Sequence, residues 1–423
     1  MTSSPTFVIV GAGLAGAKAA ETLRAEGFSG RLLLLGDEGE RPYDRPPLSK
    51  AYLRGEADRG SLYLHQEGFY AANDIELRTR AAVGSIDVAD RRLTLASGER
   101  IRYDRLLLAT GAAPRRLPLP GAELDGIHYL RSRRDADVLA AAAARAQHIV
   151  VVGTGWIGSE AAASLRQLGR DVTLLGPDAA PLARVLGPEI SRVYRDLHAD
   201  HGVQLVLGTH VAGFRGSGRV EAVVTSDGRA IACDLVLVGA GAIPRTELAE
   251  AAGLPVRQGI LVNQRLETSA AGVYAAGDVV AAWHPRYRTY LHIEHWANAL
   301  NGGPAAARNM LGIPTSYRRL PYFYSDQYDL GMEYSGHASA WDQVVVRGEP
   351  ATGAFLAFWL KDGRVLAGMN ANVWDIVGSI QALIREGRPV DLARLADPDI
   401  PLDQVADERA CHLTRTQAAT RSH

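Results

Sequence analysis

Six glycines in two sets carry the first chemical signal in this sequence. Gly11, Gly13 and Gly16 stand in TFVIVGAGLAG, and Gly153, Gly155 and Gly158 stand in HIVVVGTGWIGSEAAASLRQLG. Each set follows a run of apolar, β-branched residues and leads into a stretch of helix composition and spacing. A strand, a glycine turn and a helix start together hold a pyrophosphate. The first glycine allows the tight turn, the second lets the backbone approach the phosphates, and the third lets helix and strand pack closely. The helix N-terminus adds free N–H groups and a partial positive charge. Leu14 and Ala15 in the first motif and Ile157 in the second join the glycines as cofactor-binding candidates. Asp37 and Glu38 end the next apolar strand, RLLLLG, about twenty residues on, where a ribose hydroxyl is bound. Two dinucleotide sites in one chain point to FAD and a nicotinamide dinucleotide, placed so that a hydride passes between their rings.

Other chemistries find little support. Cys233 and Cys411 are far apart and form no CxxC, so a redox-active dithiol is absent and a disulfide framework is not expected. No Ser-His-Asp order or HExxH stands out. His284, His292 and His295 cluster in sequence, but their irregular spacing and the lack of a nearby cysteine favour hydrogen-bonding histidines over a metal site. A net charge of -1 gives no argument for nucleic acid or a membrane surface. No apolar run is long enough for a membrane span, and the short polar start reads as no secretory signal. The expected compartment is the cytoplasm.

The elements that position these residues follow a repeated order. After the first βαβ unit, RPYDRPPLSKAYLRG interrupts regular structure with three prolines, and SKAYLRG can resume a helix with Ser49 as its N-cap. A strand-rich stretch follows, then the buried strand RLLLATGAAPR. The second motif unit comes next, with DVTLLG as its second strand. DLVLVGAGAIPRTEL echoes LLLATGAAPR, and GVYAAGDVV ends in Gly277-Asp278. That order reads as an α/β protein in which one Rossmann-like dinucleotide-binding domain is inserted in another. From about Tyr317, aromatics and alternating apolar runs indicate an antiparallel sheet, followed by a helix in VWDIVGSIQALIREG, so a C-terminal α+β domain completes the fold. The expected boundaries are 1–112 and 242–316 for the FAD-binding domain, 113–241 for the NAD(P)H-binding domain and 317–406 for an interface domain. The polar tail 407–423 is expected to be disordered.

GAGLAG, RPYDRPPLSK, ATGAAPR, GTGWIGSEAA, YAAGDV, EHWANA and PYFYSDQY together resemble the FAD-dependent ferredoxin reductases of bacterial monooxygenase and dioxygenase systems. More distantly the chain is similar to rubredoxin reductases and apoptosis-inducing factors, all with the glutathione-reductase-like fold. The resemblance covers roughly Thr6 to Val405. It implies that Lys50 lies beside the flavin N5 and pairs with Glu160, a cation near N5 favouring electron density on the ring and its burial requiring a partner. It implies that Asp278 binds the ribityl chain and that Glu294, His295 and Trp296 line the pyrimidine edge. The helix after Trp296 would then stabilise the reduced ring. Arg45 and Arg115 would meet pyrophosphate or adenine. Thr110 and Gly111 would end the strand under the FAD, and Gly241 would line the cofactor path at the matching strand end.

The chain departs from the family pattern at Gly176, where many relatives carry the glutamate that binds the NAD ribose. Asp178 follows two residues later, and Arg184 further on could meet a phosphate. The resemblance still implies NADH, with NADPH as the alternative. A second departure is Tyr324, where many relatives have tryptophan. The implied acceptor is a two-iron ferredoxin, bound transiently and electrostatically, that feeds a haem monooxygenase or a Rieske oxygenase. Arg286, Arg288, Arg308, Arg318 and Arg319 are the candidate docking surface. A rubredoxin or quinone reductase and, more remotely, a redox-sensing binding protein are the other readings. The protein is expected to be a monomer or a weak dimer.

Overall fold

The computed structural model of the chain describes residues 4–406. The tail 407–423, expected to be disordered, lies outside the described residues, as does Cys411. The chain forms two compact units. The first comprises residues 4–116, Leu130–Asp137 and Gly241–Arg319, and the second comprises Leu117–Tyr129, Val138–Ala240 and residues 320–406.

The first unit is built on a five-stranded sheet in the order Val273–Ala275, Arg105–Leu108, Thr6–Val10, Arg31–Leu35, Ile75–Arg78. Every pairing is parallel. Val8, Ile9, Leu33 and Leu34 are completely buried. Strands covered on both faces need apolar residues at every position, which is why FVIV and LLLL run without alternation. Each such side chain stabilises the sheet by about 1.5–3 kcal/mol on leaving water. Helix Leu14–Ala25 buries a face of small residues, Ala15, Gly16, Ala17, Ala19 and Ala20, with Leu23. Helix Trp296–Met310 packs against it so closely that a Cβ on Gly303 would stand 2.2 Å from the carbonyl oxygen of Ala15.

The segment RPYDRPPLSK differs from its sequence reading. Pro46 and Pro47 sit inside a single 3-10 turn, Pro46–Ser49, which Ser49 ends instead of capping a helix. Proline has no N–H to give and its fixed φ suits a first turn, so the turn starts at the prolines and not after them. Hydrogen-bonded turns follow, from Arg54 N–H to Lys50 O and from Glu56 N–H to Ala51 O, but they do not extend into a regular helix.

The second unit repeats the plan. Its sheet runs Gln204–Leu207, Asp171–Gly176, His148–Val152, Leu235–Val238, Ile127–Tyr129, again all parallel. A separate antiparallel sheet orders Tyr322–Gln327, Leu330–Gly336, Arg364–Ala371, Ala354–Lys361, Gln343–Glu349, with helix Val377–Glu386 following in the chain. Trp359, Phe355, Met369 and Tyr334 of this sheet share one core with Leu186, Ile190 and Tyr194 of helix Ala183–Asp200. That helix breaks at Gly187 (φ +75°) ahead of Pro188, and the Trp359 indole donates to the Leu186 carbonyl at the break. No helix among the described residues is long and apolar enough to cross a membrane.

Candidate functional site

In the first unit the glycine motif has the geometry its spacing predicts. Gly11 has φ +115°, and a Cβ there would lie 2.0 Å from Ala109 O. A Cβ on Gly16 would lie 1.9 Å from Gly11 O, so helix and strand meet only through a bare glycine. Gly13 is different, because a Cβ there would meet nothing within 4 Å. The space is open to a ligand at the start of a helix whose N-cap receives no side-chain hydrogen bond. A pyrophosphate fits that cradle, with backbone N–H groups as its donors.

Polar pairs surround this motif. Glu38 accepts from Arg45 and from the Tyr43 hydroxyl, both at 2.6 Å. Arg45 also donates to Arg131 O. Asp37 pairs with Arg245 at 2.7 Å. Asp278, largely buried, pairs with Arg131 at 2.6 Å. Thr110 donates through its hydroxyl to Arg245 O, Gly111 O accepts from Arg245 N–H, and Arg115 N–H donates to Gly241 O. Gly241 therefore belongs to this unit, at φ +99°. Trp296 opens its helix and donates through its indole to Asp44 at 2.9 Å. Glu294 pairs with His292 at 3.1 Å. Burial works against both charges, but the pair holds the imidazolium above its ordinary value and the carboxyl below its own. Burial pushes His295 down to about 4. Lys50 donates to Pro46 O at 3.3 Å.

Tyr43, Asp44 and Arg131 were not singled out from the sequence. The first two lie inside RPYDRPPLSK, whose unusual composition marked the stretch as a whole. Arg131 had no local signal, since it meets Asp278 across 147 positions of chain.

The second unit holds the second motif in the same form. Gly153 has φ +112°, with Gly239 O 2.3 Å from a Cβ placed on it. A Cβ on Gly158 would lie 1.9 Å from Gly153 O, and one on Gly155 would again meet nothing within 4 Å. The strand registers of the two copies match. Val10 pairs with Leu35 as Val152 pairs with Leu175. Gly11 and Gly153 donate their N–H to those same leucines, both at 2.8 Å. Gly36 and Gly176 thus hold equivalent places, and so do Glu38 and Asp178. A Cβ on Gly176 would stand 2.6–2.7 Å from the Thr154 side chain, which explains why no acid sits there. Asp178 pairs instead with Arg184 at 2.9 Å. Ile157, on the first turn of the helix, is exposed. Glu160, on the same helix, is buried and accepts from the Ser325 hydroxyl at 2.8 Å.

Among the described residues no group of three or more histidine, cysteine or acidic side chains is placed to hold a metal. His284 bonds Arg319 O through Nε2 and His292 bonds Val280 O through Nδ1. Cys233 is buried, and burial raises its thiol to about 12, far from a reactive thiolate.

The chain matches the pyridine nucleotide-disulphide oxidoreductase family over residues 5–303 and the reductase C-terminal family over residues 322–406. It is 38% identical to rhodocoxin reductase of Rhodococcus erythropolis, over 98% of this chain and 97% of that protein. It is 37% identical to putidaredoxin reductase of Pseudomonas putida, over 96% and 97%. A probable ferredoxin reductase of Castellaniella defragrans is 38% identical over 96% and 100%. Among solved structures, the covalent putidaredoxin reductase–putidaredoxin complex matches with a TM-score of 0.91 at 37% identity, covering 95% of this chain and 98% of that one. Likeness of this extent, running through both glycine motifs and on into the C-terminal sheet, makes the chain a member of the pyridine nucleotide-disulphide oxidoreductase family, in its branch of FAD-dependent ferredoxin reductases.

Proposed function

We propose that this protein takes a hydride from NADH and delivers the electrons one at a time to a two-iron ferredoxin that serves a haem monooxygenase or a Rieske oxygenase. The observation that carries the reading is the pair of glycine cradles built alike in two units, in a chain whose sequence holds no CxxC. FAD, when bound, accepts two electrons together and releases them singly. The chain's own residues bind and orient. The first motif holds the FAD pyrophosphate at the start of helix Leu14–Ala25, and Glu38, steadied by Arg45 and Tyr43, takes the adenosine ribose. Asp278, held by Arg131, takes the ribityl chain. Trp296, fixed by Asp44, presents a flat apolar face to the ring, with Glu294 and His295 beside it. Lys50 would supply a cation at the flavin N5, and Glu160 would act in the same hydride-transfer step. The second motif holds NADH, and Asp178 takes the ribose hydroxyl from the place that Glu38 occupies in the first. A cytoplasmic location belongs to the same proposal, because the reaction consumes reduced nicotinamide.

The test is the absorption spectrum of the purified protein before and after anaerobic NADH. A yellow protein that bleaches supports the reading, and a colourless one sinks it. Lys50→Ala should keep FAD and reduce it at least about tenfold more slowly, the scale of one charge removed from a reacting centre. Normal reduction kinetics in that variant would remove Lys50 from the reaction. Turnover with rubredoxin or a quinone exceeding that with ferredoxin would change the acceptor.

A further inference from the structure

The second unit contains a buried line of polar side chains that the cofactor sites leave unexplained. The Tyr328 hydroxyl lies 3.4 Å from His198 Nδ1, and His198 Nε2 lies 2.9 Å from Gln327 Oε1. Gln327 Nε2 lies 3.4 Å from Ser325 Oγ, which in turn lies 2.8 Å from Glu160 Oε1. Three elements contribute. His198 comes from helix Ala183–Asp200, Glu160 from helix Trp156–Gln167, and Ser325 and Gln327 from strand Tyr322–Gln327, where their spacing of two puts both on one face. His198, Gln327 and Ser325 are at most 1% exposed and Glu160 is 4% exposed. Trp156 packs edge-on to Tyr194 and to Phe323 in the same core.

The line has one direction. The Ser325 hydroxyl donates to Glu160. The serine oxygen then accepts from the Gln327 amide nitrogen, which leaves the amide oxygen to accept from His198 Nε2–H. That fixes the neutral tautomer and leaves Nδ1 to accept from Tyr328. Burial pushes His198 down to about 4, so the ring stays neutral at working pH. Four polar groups in an apolar core are costly unless each is satisfied, and here each satisfies the next.

We propose that Ser325, Gln327 and His198 are positioning residues that hold the Glu160 carboxylate in one orientation for the hydride-transfer step. The inference rests on the reading of Glu160 as part of the reaction. Without the Ser325 hydroxyl the carboxylate loses this buried donor, while the NADH cradle at Gly153, Gly155 and Gly158 is untouched.

The experiment is anaerobic stopped-flow reduction of the full-length holoenzyme by NADH. Ser325→Ala should lower the limiting rate of flavin reduction about tenfold, the scale of one hydrogen bond to a charged group. The dissociation constant for NADH and the rate of reoxidation by ferricyanide should stay within about twofold of their original values. Ser325→Thr, which keeps the donor, should recover most of the rate. Reduction that is unchanged in Ser325→Ala, or equally slow in Ser325→Thr, overturns the inference. Glu160→Gln separates the two readings. If it too reduces normally, the role of Glu160 itself fails; if it is slow while Ser325→Ala is normal, only the positioning line fails. Should Ser325→Ala not retain FAD, Gln327→Leu leaves Ser325 in place and breaks the line behind it. A fall of about threefold, the scale of one neutral hydrogen bond, then supports the inference, and no fall overturns it.

Discussion

The ribose role proposed for Asp178 would move a function along the chain. The second residue of the nicotinamide motif is Thr154, where the first motif has Ala12, and its branched side chain fills the space above the strand end. A glutamate at position 176 would overpack that contact, at a cost of about 1–3 kcal/mol. The acid therefore stands two residues later, as Glu38 does in the FAD copy. Asp178→Ala should lower kcat/KM for NADH about tenfold, the scale of a hydrogen bond to a charged group. It should also raise kcat/KM for NADPH, since the repelling carboxylate is gone and Arg184 is released to meet a phosphate. Comparing the two coenzymes in both proteins reads this directly, and an unchanged ratio would take the ribose away from Asp178. The sequence showed that the acid was missing at Gly176. The equivalence with Glu38 became visible only through the matching strand registers, because register is a property of paired strands and not of either alone.

At the scale of elements, the FAD cradle depends on how two helices cross. Helix Leu14–Ala25 starts at the cradle, and helix Trp296–Met310 starts at the expected edge of the flavin ring. Gly303 lets them touch backbone to backbone, so their separation would set the distance between the two proposed ends of the cofactor site. Gly303→Ala puts a methyl 2.2 Å from Ala15 O and must push the helices apart. We expect a loss of about 1–3 kcal/mol in stability and a raised fraction of protein purified without FAD, measured from the ratio of flavin to protein absorbance. Full FAD content with an unchanged melting temperature would show that the crossing is not what sets the cradle. The glycine motifs themselves were legible because strand, turn and helix lie within a few residues of one another. The crossing was not, and neither was the Trp296–Asp44 bond, which spans 252 positions. Ser49 misled for a related reason. Local capping chemistry favours a helix after it, but Pro46 and Pro47 had already set the turn.

For the whole molecule, a net charge of -1 gives no long-range attraction for an acidic ferredoxin, so any steering has to come from a local patch. Of the five arginines proposed from the sequence, Arg308 is committed to Glu26 at 2.8 Å. The other four are exposed and belong to the first unit. Arg286 and Arg288 lie on the turn between strands Val280–His284 and Thr289–His292. His284 bonds Arg319 O at 3.0 Å and so ties residues 318 and 319 to the same hairpin. At physiological salt such charges act over about 8 Å, which suits a patch and not a global field. Reversing Arg318 and Arg319 to glutamate should raise the apparent KM for ferredoxin several-fold at low salt and flatten its dependence on ionic strength, about as expected when rim charges that govern encounter are inverted. Reduction of ferricyanide by NADH should be unaffected, because the small acceptor needs no docking face. If the double reversal leaves both the KM and its salt dependence unchanged, the ferredoxin approaches another face. The hairpin would then be charged only to stay soluble, and the steering argument would fall with it.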